Sequence, residues 1–259
     1  MDPRLPSHDG GDRAAAPSLP DEPSVSRHSL ALYLYTGATI VAGAVALAWA
    51  SLTFPIWPTI SLTKAGGPEG ILLGMVFWIA LGLLGGTRVQ HLHGHGVLTF
   101  HLPFIIAATA LGGPVAGGWV AVFATFEMRE FREVPWYGTL ANHASIALSA
   151  VLAGVVFDVV RNGPLGGVAE GGQAAELLAI VAATFILSGL SAGLAAGTVI
   201  LRDRLTFREA TRLYDTSYRT TSASEVVMGW VLVLSYSTIG WWAALVSAST
   251  RPGPPPQAS

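Results

Sequence analysis

The sequence predicts an all-α integral membrane protein, a helical bundle with six or seven transmembrane segments, and three observations support this fold class. Hydrophobic residues make up 51% of the 259 residues, and charged residues only 12%, where a soluble domain typically has about 25%. The mean hydropathy is +0.53. Several apolar runs approach the roughly 20 residues that a helix needs to cross a bilayer. We therefore expect one membrane domain between two polar tails.

The domain organisation follows from the distribution of polar residues. Residues 1–29 contain five Pro, five acidic residues and three Arg, which predicts a disordered tail. Residues 30–248 form the predicted membrane domain, and residues 249–259 form a short Pro-rich tail. The domain contains seven apolar segments: Leu30–Leu52, Gly70–Gly86, Val97–Leu111, Val115–Phe126, Thr139–Val160, Ala174–Leu201 and Val226–Ala248.

The third and fourth apolar segments meet at a Gly-Gly-Pro turn formed by Gly112, Gly113 and Pro114. A Gly pair can end a helix in a left-handed turn, and Pro is well tolerated in the first turn of the next helix. The two segments therefore predict a tight helical hairpin. Each is only about 18–22 Å long, less than the roughly 30 Å of a bilayer core. We expect the turn to lie below the membrane surface and to line a ligand cavity there, with Gly112, Gly113 and Pro114 as its candidate residues.

Charge predicts the orientation of the bundle. If all seven segments are counted, eleven of the 14 basic residues fall on the side of the N-terminus and three on the other side. The positive-inside rule then places the N-terminus in the cytoplasm. The side of the C-terminus stays open, because the last apolar segment is broken by Gly240.

The segment after the hairpin contains the candidate coupling residues. A block of alternating charge runs from Glu127 to Glu133, and Asn142 and His143 lie one turn into the following helix. Polar groups at membrane depth usually face the bundle interior and find partners there. We weigh a structural hydrogen bond against a role in reporting ligand occupancy. For the second role the candidates are Glu127, Arg129, Glu130, Arg132, Trp136, Asn142 and His143.

The sixth apolar segment has Gly189, Gly193 and Gly197 at every fourth position. Faces of small residues let helices approach closely in lipid, so we predict that these three residues pack against another helix. Gly189 to Gly193 also matches the Gly-x-Ser-x-Gly pattern of a hydrolase, with His143 as the base. That motif needs a strand-turn-helix context, which an apolar helix does not supply. We therefore prefer the packing interpretation and predict no enzyme activity.

The remaining polar features indicate no cofactor, metal or nucleic-acid site. The chain has no cysteine and a net charge of −2. His91, His93 and His95 carry imidazole groups, the commonest metal ligands, but we prefer a solvated interfacial loop and leave metal binding there open. Thr206 and Glu209 form a capping-box pattern. The basic segment that follows predicts an amphipathic helix lying on anionic lipid.

From Val97 to Val246 the chain resembles the polytopic membrane input domains at the N-termini of bacterial HD-GYP and GGDEF signalling proteins. The resemblance is carried by Leu111-Gly112-Gly113-Pro114, Trp136, Asn142, Ala147-Leu148-Ser149-Ala150, the basic stretch Leu205–Arg212, Tyr214, Tyr218, Leu234-Ser235-Tyr236 and Gly240. It implies a multi-pass sensor in the bacterial inner membrane that acts through a signalling partner or a homo-oligomer. We expect no cyclic-di-GMP enzyme, because the chain ends at Ser259.

The hairpin supports an alternative function. Residues Phe100 to Thr125 are similar to the substrate-binding membrane subunits of energy-coupling-factor vitamin transporters. This likeness implies a solute-binding subunit of a transporter. The leading prediction is nevertheless a non-catalytic sensor or regulatory module, whose ligand and partner the sequence does not name.

Overall fold

The computed structural model describes residues 30–63, 66–86, 90–92, 96–98, 101–126, 135–163 and 172–242; for 90–92, 96–98 and 211–222 it describes only the backbone. Within these ranges the elements are six helices, one short 3₁₀ turn and two strands of three residues each. The helices are α1 Leu30–Thr53, α2 Pro68–Gly86, α3 Leu102–Ala124, α4 Trp136–Asn162, α5 Gln173–Asp203 and α6 Phe207–Ile239; the 3₁₀ turn is Pro58–Ile60, and the strands are β1 Gln90–Leu92 and β2 Gly96–Leu98.

The described part of the chain is a bundle of helices, and this confirms the predicted all-α class in outline. Five helices, α1 to α5, are long and apolar enough to cross a membrane. The sixth contains a shorter apolar stretch, Ala223–Ile239. The exception to the helical class is the ribbon of β1 and β2, which pair antiparallel where the sequence predicted a loop.

Two predicted element boundaries are wrong. The third apolar segment was expected to begin a helix at Val97, but that residue pairs with His91 in the ribbon and α3 begins at Leu102. The helix predicted after Thr206 was expected to end before the seventh apolar segment, which was drawn from Val226. It is instead the first half of α6, a single helix of 33 residues. At 1.5 Å per residue α6 is about 50 Å long, so its basic half extends beyond its apolar half.

The helix α3 is interrupted at Gly113, whose φ of 79° and ψ of −172° are not helical. A Cβ atom placed on Gly117 would lie 3.2 Å from the Cα atom of Thr109. In a continuous helix, residues eight positions apart are separated by about 12 Å along the axis. The halves of α3 before and after Gly113 are therefore in contact with each other.

The core of the bundle lies around α3. Of the most apolar eighteen residues of this helix, 89% are buried, compared with 28% in α1 and 33% in α2. Small residues allow the surrounding helices to approach closely. The backbone of Gly43 in α1 lies against Ala144 of α4, and a Cβ atom on Gly82 of α2 would stand 2.5 Å from that of Ala124.

Candidate functional site

The segment Phe54–Thr63, which we call the capping loop, closes over the Gly-Gly-Pro turn. A Cβ atom on Gly113 would lie 3.0 Å from the Trp57 ring, and the φ of Gly113 lies in the region that favours glycine. Gly112, Gly113 and Pro114 are all buried. In this structure Trp57 therefore occupies the space over the turn where we expected a ligand cavity, and a ligand there would have to displace the loop.

The capping loop also supplies hydrogen-bond partners for the turn. The interruption at Gly113 leaves carbonyl groups at the end of the first half of α3 without helical donors. The Thr59 hydroxyl donates to the carbonyl oxygen of Leu111. The backbone N–H of Trp57 donates to the carbonyl oxygen of Gly112 over 3.1 Å. These bonds are needed because an unsatisfied backbone group in an apolar interior costs several kcal/mol.

The capping loop is in turn held by α6. The Tyr236 hydroxyl lies 2.8 Å from the carbonyl oxygen of Ile60 and 3.1 Å from that of Ser61. The side chain of Ile60 is fully buried. The Trp57 ring lies with its centroid 6.0 Å from that of Phe157 in α4. One loop thus joins the turn to α4 and α6.

On its other side the turn packs directly on α4. A Cβ atom on Gly154 would stand 2.5 Å from the Cα atom of Pro114. Only a glycine at position 154 leaves room for the Pro114 backbone at this distance. The turn is therefore enclosed by Trp57 on one side and by the α4 backbone on the other.

At the opposite end of α3, His143 of α4 bonds with the residue that follows the helix. Its Nδ1 atom lies 2.8 Å from the Oγ1 atom of Thr125, and its ring centroid lies 4.2 Å from that of Phe126. The Thr125 hydroxyl already donates its hydrogen to the carbonyl oxygen of Ala121. It is therefore left to accept from Nδ1–H, which assigns the proton of a neutral His143 to Nδ1. His143 is buried, as predicted.

Of the other candidate coupling residues, the two that the structure describes do not lie in the interior with His143. Asn142 is exposed, so the expectation that it faces the bundle interior is wrong. Consecutive residues of an α-helix point about 100° apart, and at this level of α4 His143 faces the core whereas Asn142 does not. Trp136 is also exposed, at the start of α4. Glu127, Arg129, Glu130 and Arg132 lie outside the described residues.

Among the described residues, the predicted glycine contact on α5 is seen at Gly197. Gly197 lies against the ring of Tyr35 in α1. Gly189 and Gly193 are exposed, and no described atom lies within 4 Å of a Cβ atom placed on Gly193. The prediction that Gly193 packs against another helix of the chain is therefore corrected. Small residues tolerate close packing but do not by themselves require it.

One buried acidic group was missed by the sequence analysis. Glu225 of α6 is 4% exposed, and the Ser188 hydroxyl of α5 donates to its Oε2 atom over 2.8 Å. The seventh apolar segment was drawn from Val226, so Glu225 was left in the adjoining loop. The sequence has helical character both before and after Glu225. This signal would have placed Glu225 inside a helix.

Comparison with known proteins finds no relative of this chain. No protein-family model, no curated protein and no solved structure matches the chain. In the residues that the structure describes, no group of three His, Cys, Asp or Glu residues could hold a metal ion. The two ends of α3 and the groups that contact them therefore form the candidate functional site.

Proposed function

We propose that this protein is a non-catalytic sensor module of a bacterial inner membrane, in which α3 is a re-entrant hairpin that relays a change between its two ends. The observation that carries the proposal is the pair of contacts that hold this element. Trp57 covers the Gly-Gly-Pro turn of α3, and Thr125, which follows the last residue of α3, is hydrogen-bonded to His143. A displacement at one end is expected to reach the other through a buried element with little room to deform.

The dimensions of α3 support a re-entrant arrangement. Each half has about 11 residues and so a length of about 16 Å, roughly half of a bilayer core. Two such halves in contact return the chain to the side from which it entered. With α1, α2, α4, α5 and the apolar part of α6 as crossing helices, the two halves bring the number of apolar segments to seven.

The proposed orientation follows from the arginine distribution. A re-entrant hairpin and a hairpin that crosses twice leave all later segments on the same sides. The eleven-to-three division of basic residues therefore places the N-terminus, the ends of α3 and the start of α6 in the cytoplasm. The capping loop then faces the outside and is where a signal would act, while His143 and the Glu127–Glu133 block lie toward a cytoplasmic partner.

A solute-binding transporter subunit is the alternative. The bonding of the turn favours the sensor, because the carbonyl groups of Leu111 and Gly112 are already used by the capping loop. A solute site at the turn would need that loop to leave. A neighbouring reading frame encoding an ATPase pair would favour transport, and one encoding a signalling enzyme would favour the sensor.

The relay can be tested with one probe and one distant substitution. The chain contains no cysteine, so Asn142→Cys provides a unique exposed thiol for an environment-sensitive fluorophore beside His143. We would combine it with Trp57→Ala in protein reconstituted in lipid nanodiscs. Because Trp57 closes the turn, its removal should loosen α3 and shift the emission of the probe at the opposite end.

The matched control is Trp242→Ala, which removes the same side chain from an exposed position just after α6. It should leave the emission of the probe unchanged. An equal shift in both variants, or no shift in Trp57→Ala, would contradict a relay through α3. Thermal stabilisation of the same protein by vitamins, metals or lipids would then identify the ligand class.

A further inference from the structure

The carboxyl group of Glu225 is buried between two helices and has one described hydrogen-bond donor. Glu225 and Ser188 are each 4% exposed, and the Ser188 hydroxyl lies 2.8 Å from the Oε2 atom. Ser188 lies one turn from Thr184, whose hydroxyl is turned to its own helix and donates to the carbonyl oxygen of Ile180. Within the described part of the chain, the carboxyl group is therefore held by one neutral hydroxyl.

Among the side chains that the structure describes, the helices around Glu225 bring no positive charge to it. One turn further along α6, a Cβ atom on Gly229 would lie 2.9 Å from Ile106 and 3.8 Å from the carbonyl oxygen of Pro103. Glu225 therefore lies about 6 Å before this contact, close to the level at which α3 begins. The helix α3 contains no charged residue, and α5 contains none between Glu176 and Arg202.

Few charged or titratable residues lie close to Glu225 along the chain. On α6 the next charged residue before Glu225 is Arg219, six positions away, and none follows it up to Ile239. Six positions correspond to about 240° around the helix axis, which puts Arg219 on another face. The side chain of Arg219 lies outside the described part. On α3 the nearest titratable residue is His101, at its N-cap.

We propose that Glu225 is a proton-binding site inside the bundle. An isolated carboxylate in an apolar interior is so costly that the group takes up a proton instead. In the neutral acid Oε2 accepts from Ser188, and Oε1 holds the proton. Release of that proton to water leaves a carboxylate at the contact of α5, α6 and the start of α3. This site is independent of the proposed relay, since it needs only the buried contact.

The state of the carboxyl group can be read by infrared difference spectroscopy of the protein in nanodiscs. Spectra are taken at neutral pH, relative to an alkaline reference, for the wild type, Glu225→Gln and the control Glu69→Gln. Glu69 is an exposed carboxylate at the start of α2. We expect a protonated-carboxyl absorption in the wild type and in Glu69→Gln, and its complete loss in Glu225→Gln.

The variant Ser188→Ala distinguishes a hydrogen bond from Ser188 to Glu225 from a purely structural role of Ser188. Without the hydroxyl donor, the carbonyl absorption of the protonated Glu225 should move to higher frequency, whereas a purely structural role for Ser188 would leave its frequency unchanged. Identical spectra for the wild type and Glu225→Gln would overturn the proposal, since Glu225 would then be ionised. Loss of the absorption when NaCl replaces choline chloride at constant pH would also overturn it, in favour of a sodium site.

Discussion

Gly154 of α4 lies directly against Pro114 of the turn, with 2.5 Å between an ideal Cβ atom on Gly154 and the Cα atom of Pro114. We predict that Gly154→Ala lowers the free energy of unfolding by about 1–3 kcal/mol, because backbone must move to admit the methyl group. Reversible unfolding in mixed detergent micelles measures the change.

Gly193→Ala is the matched control for this substitution. Its new methyl group would meet no described atom within 4 Å, and alanine favours the helix over glycine by about 1 kcal/mol. This variant should therefore be as stable as the wild type or slightly more stable. A loss of stability in Gly193→Ala comparable to that in Gly154→Ala would mean that α5 packs through this face, as the sequence first suggested.

The bond from Tyr236 to the capping loop gives a second prediction. Tyr236→Phe removes the donor that serves the carbonyl oxygens of Ile60 and Ser61. The expected loss is about 1–3 kcal/mol, because a buried acceptor is left without its partner.

The control removes a hydroxyl from the same helix. Thr238 donates to the carbonyl oxygen of Leu234 within α6, so Thr238→Val should change the unfolding free energy far less. Hydrogen exchange of the capping-loop amides should rise in Tyr236→Phe alone. Equal exchange in the two variants would show that α6 does not hold the loop.

The capping box at the start of α6 predicts a pH dependence. Hydrogen bonds from the side chain and backbone of Thr206 hold the pKa of Glu209 below its usual value. Because the folded pKa is lowered, the stabilisation is present above the unfolded pKa and is lost as the pH falls through the folded pKa. Amide exchange at the start of α6 should therefore speed up in acid, after correction for the intrinsic exchange rate. Glu209→Gln should remove most of this pH response, and an unchanged response would assign it to another group.

The fourth prediction concerns the side of the membrane on which the N-terminus and the first half of α6 lie. Cysteines placed at Ser18 and Thr216 should both resist a membrane-impermeant thiol reagent in intact cells, since the N-terminus and the first half of α6 are cytoplasmic in the proposed orientation. Permeabilised cells provide the control, because both thiols should react there. Labelling of both in intact cells would reverse the proposed orientation.

The sequence predicted the features that depend only on residues close together in the chain. The helix α1 ends at Thr53, one residue beyond the predicted Leu52, because a long apolar run without Gly-Pro interruption specifies a helix on its own. The capping box between Thr206 and Glu209 was visible for the same reason, since both partners lie within one turn. The interruption at Gly113 was visible in its Gly-Gly-Pro sequence.

Long-range contacts were not visible in the sequence. Trp57 meets Gly113 across more than fifty intervening residues, and nothing near Trp57 indicates that partner. Gly193 and Gly154 look alike in sequence, yet one is open and the other touches Pro114. Glu225 was misplaced because hydropathy locates the start of an apolar run and does not report where the helix itself begins.

In the proposed hairpin both ends of α3 lie on one side of the membrane, because its second half returns the chain to the side at which the first half began. Single cysteines at Thr99 and Glu130, which flank α3 in the sequence, test it most directly by labelling with an impermeant thiol reagent in intact and permeabilised cells. We predict that both thiols are protected in intact cells and that both react after permeabilisation. Labelling of one thiol but not the other in intact cells would place the two ends of α3 on opposite sides and rule out the hairpin.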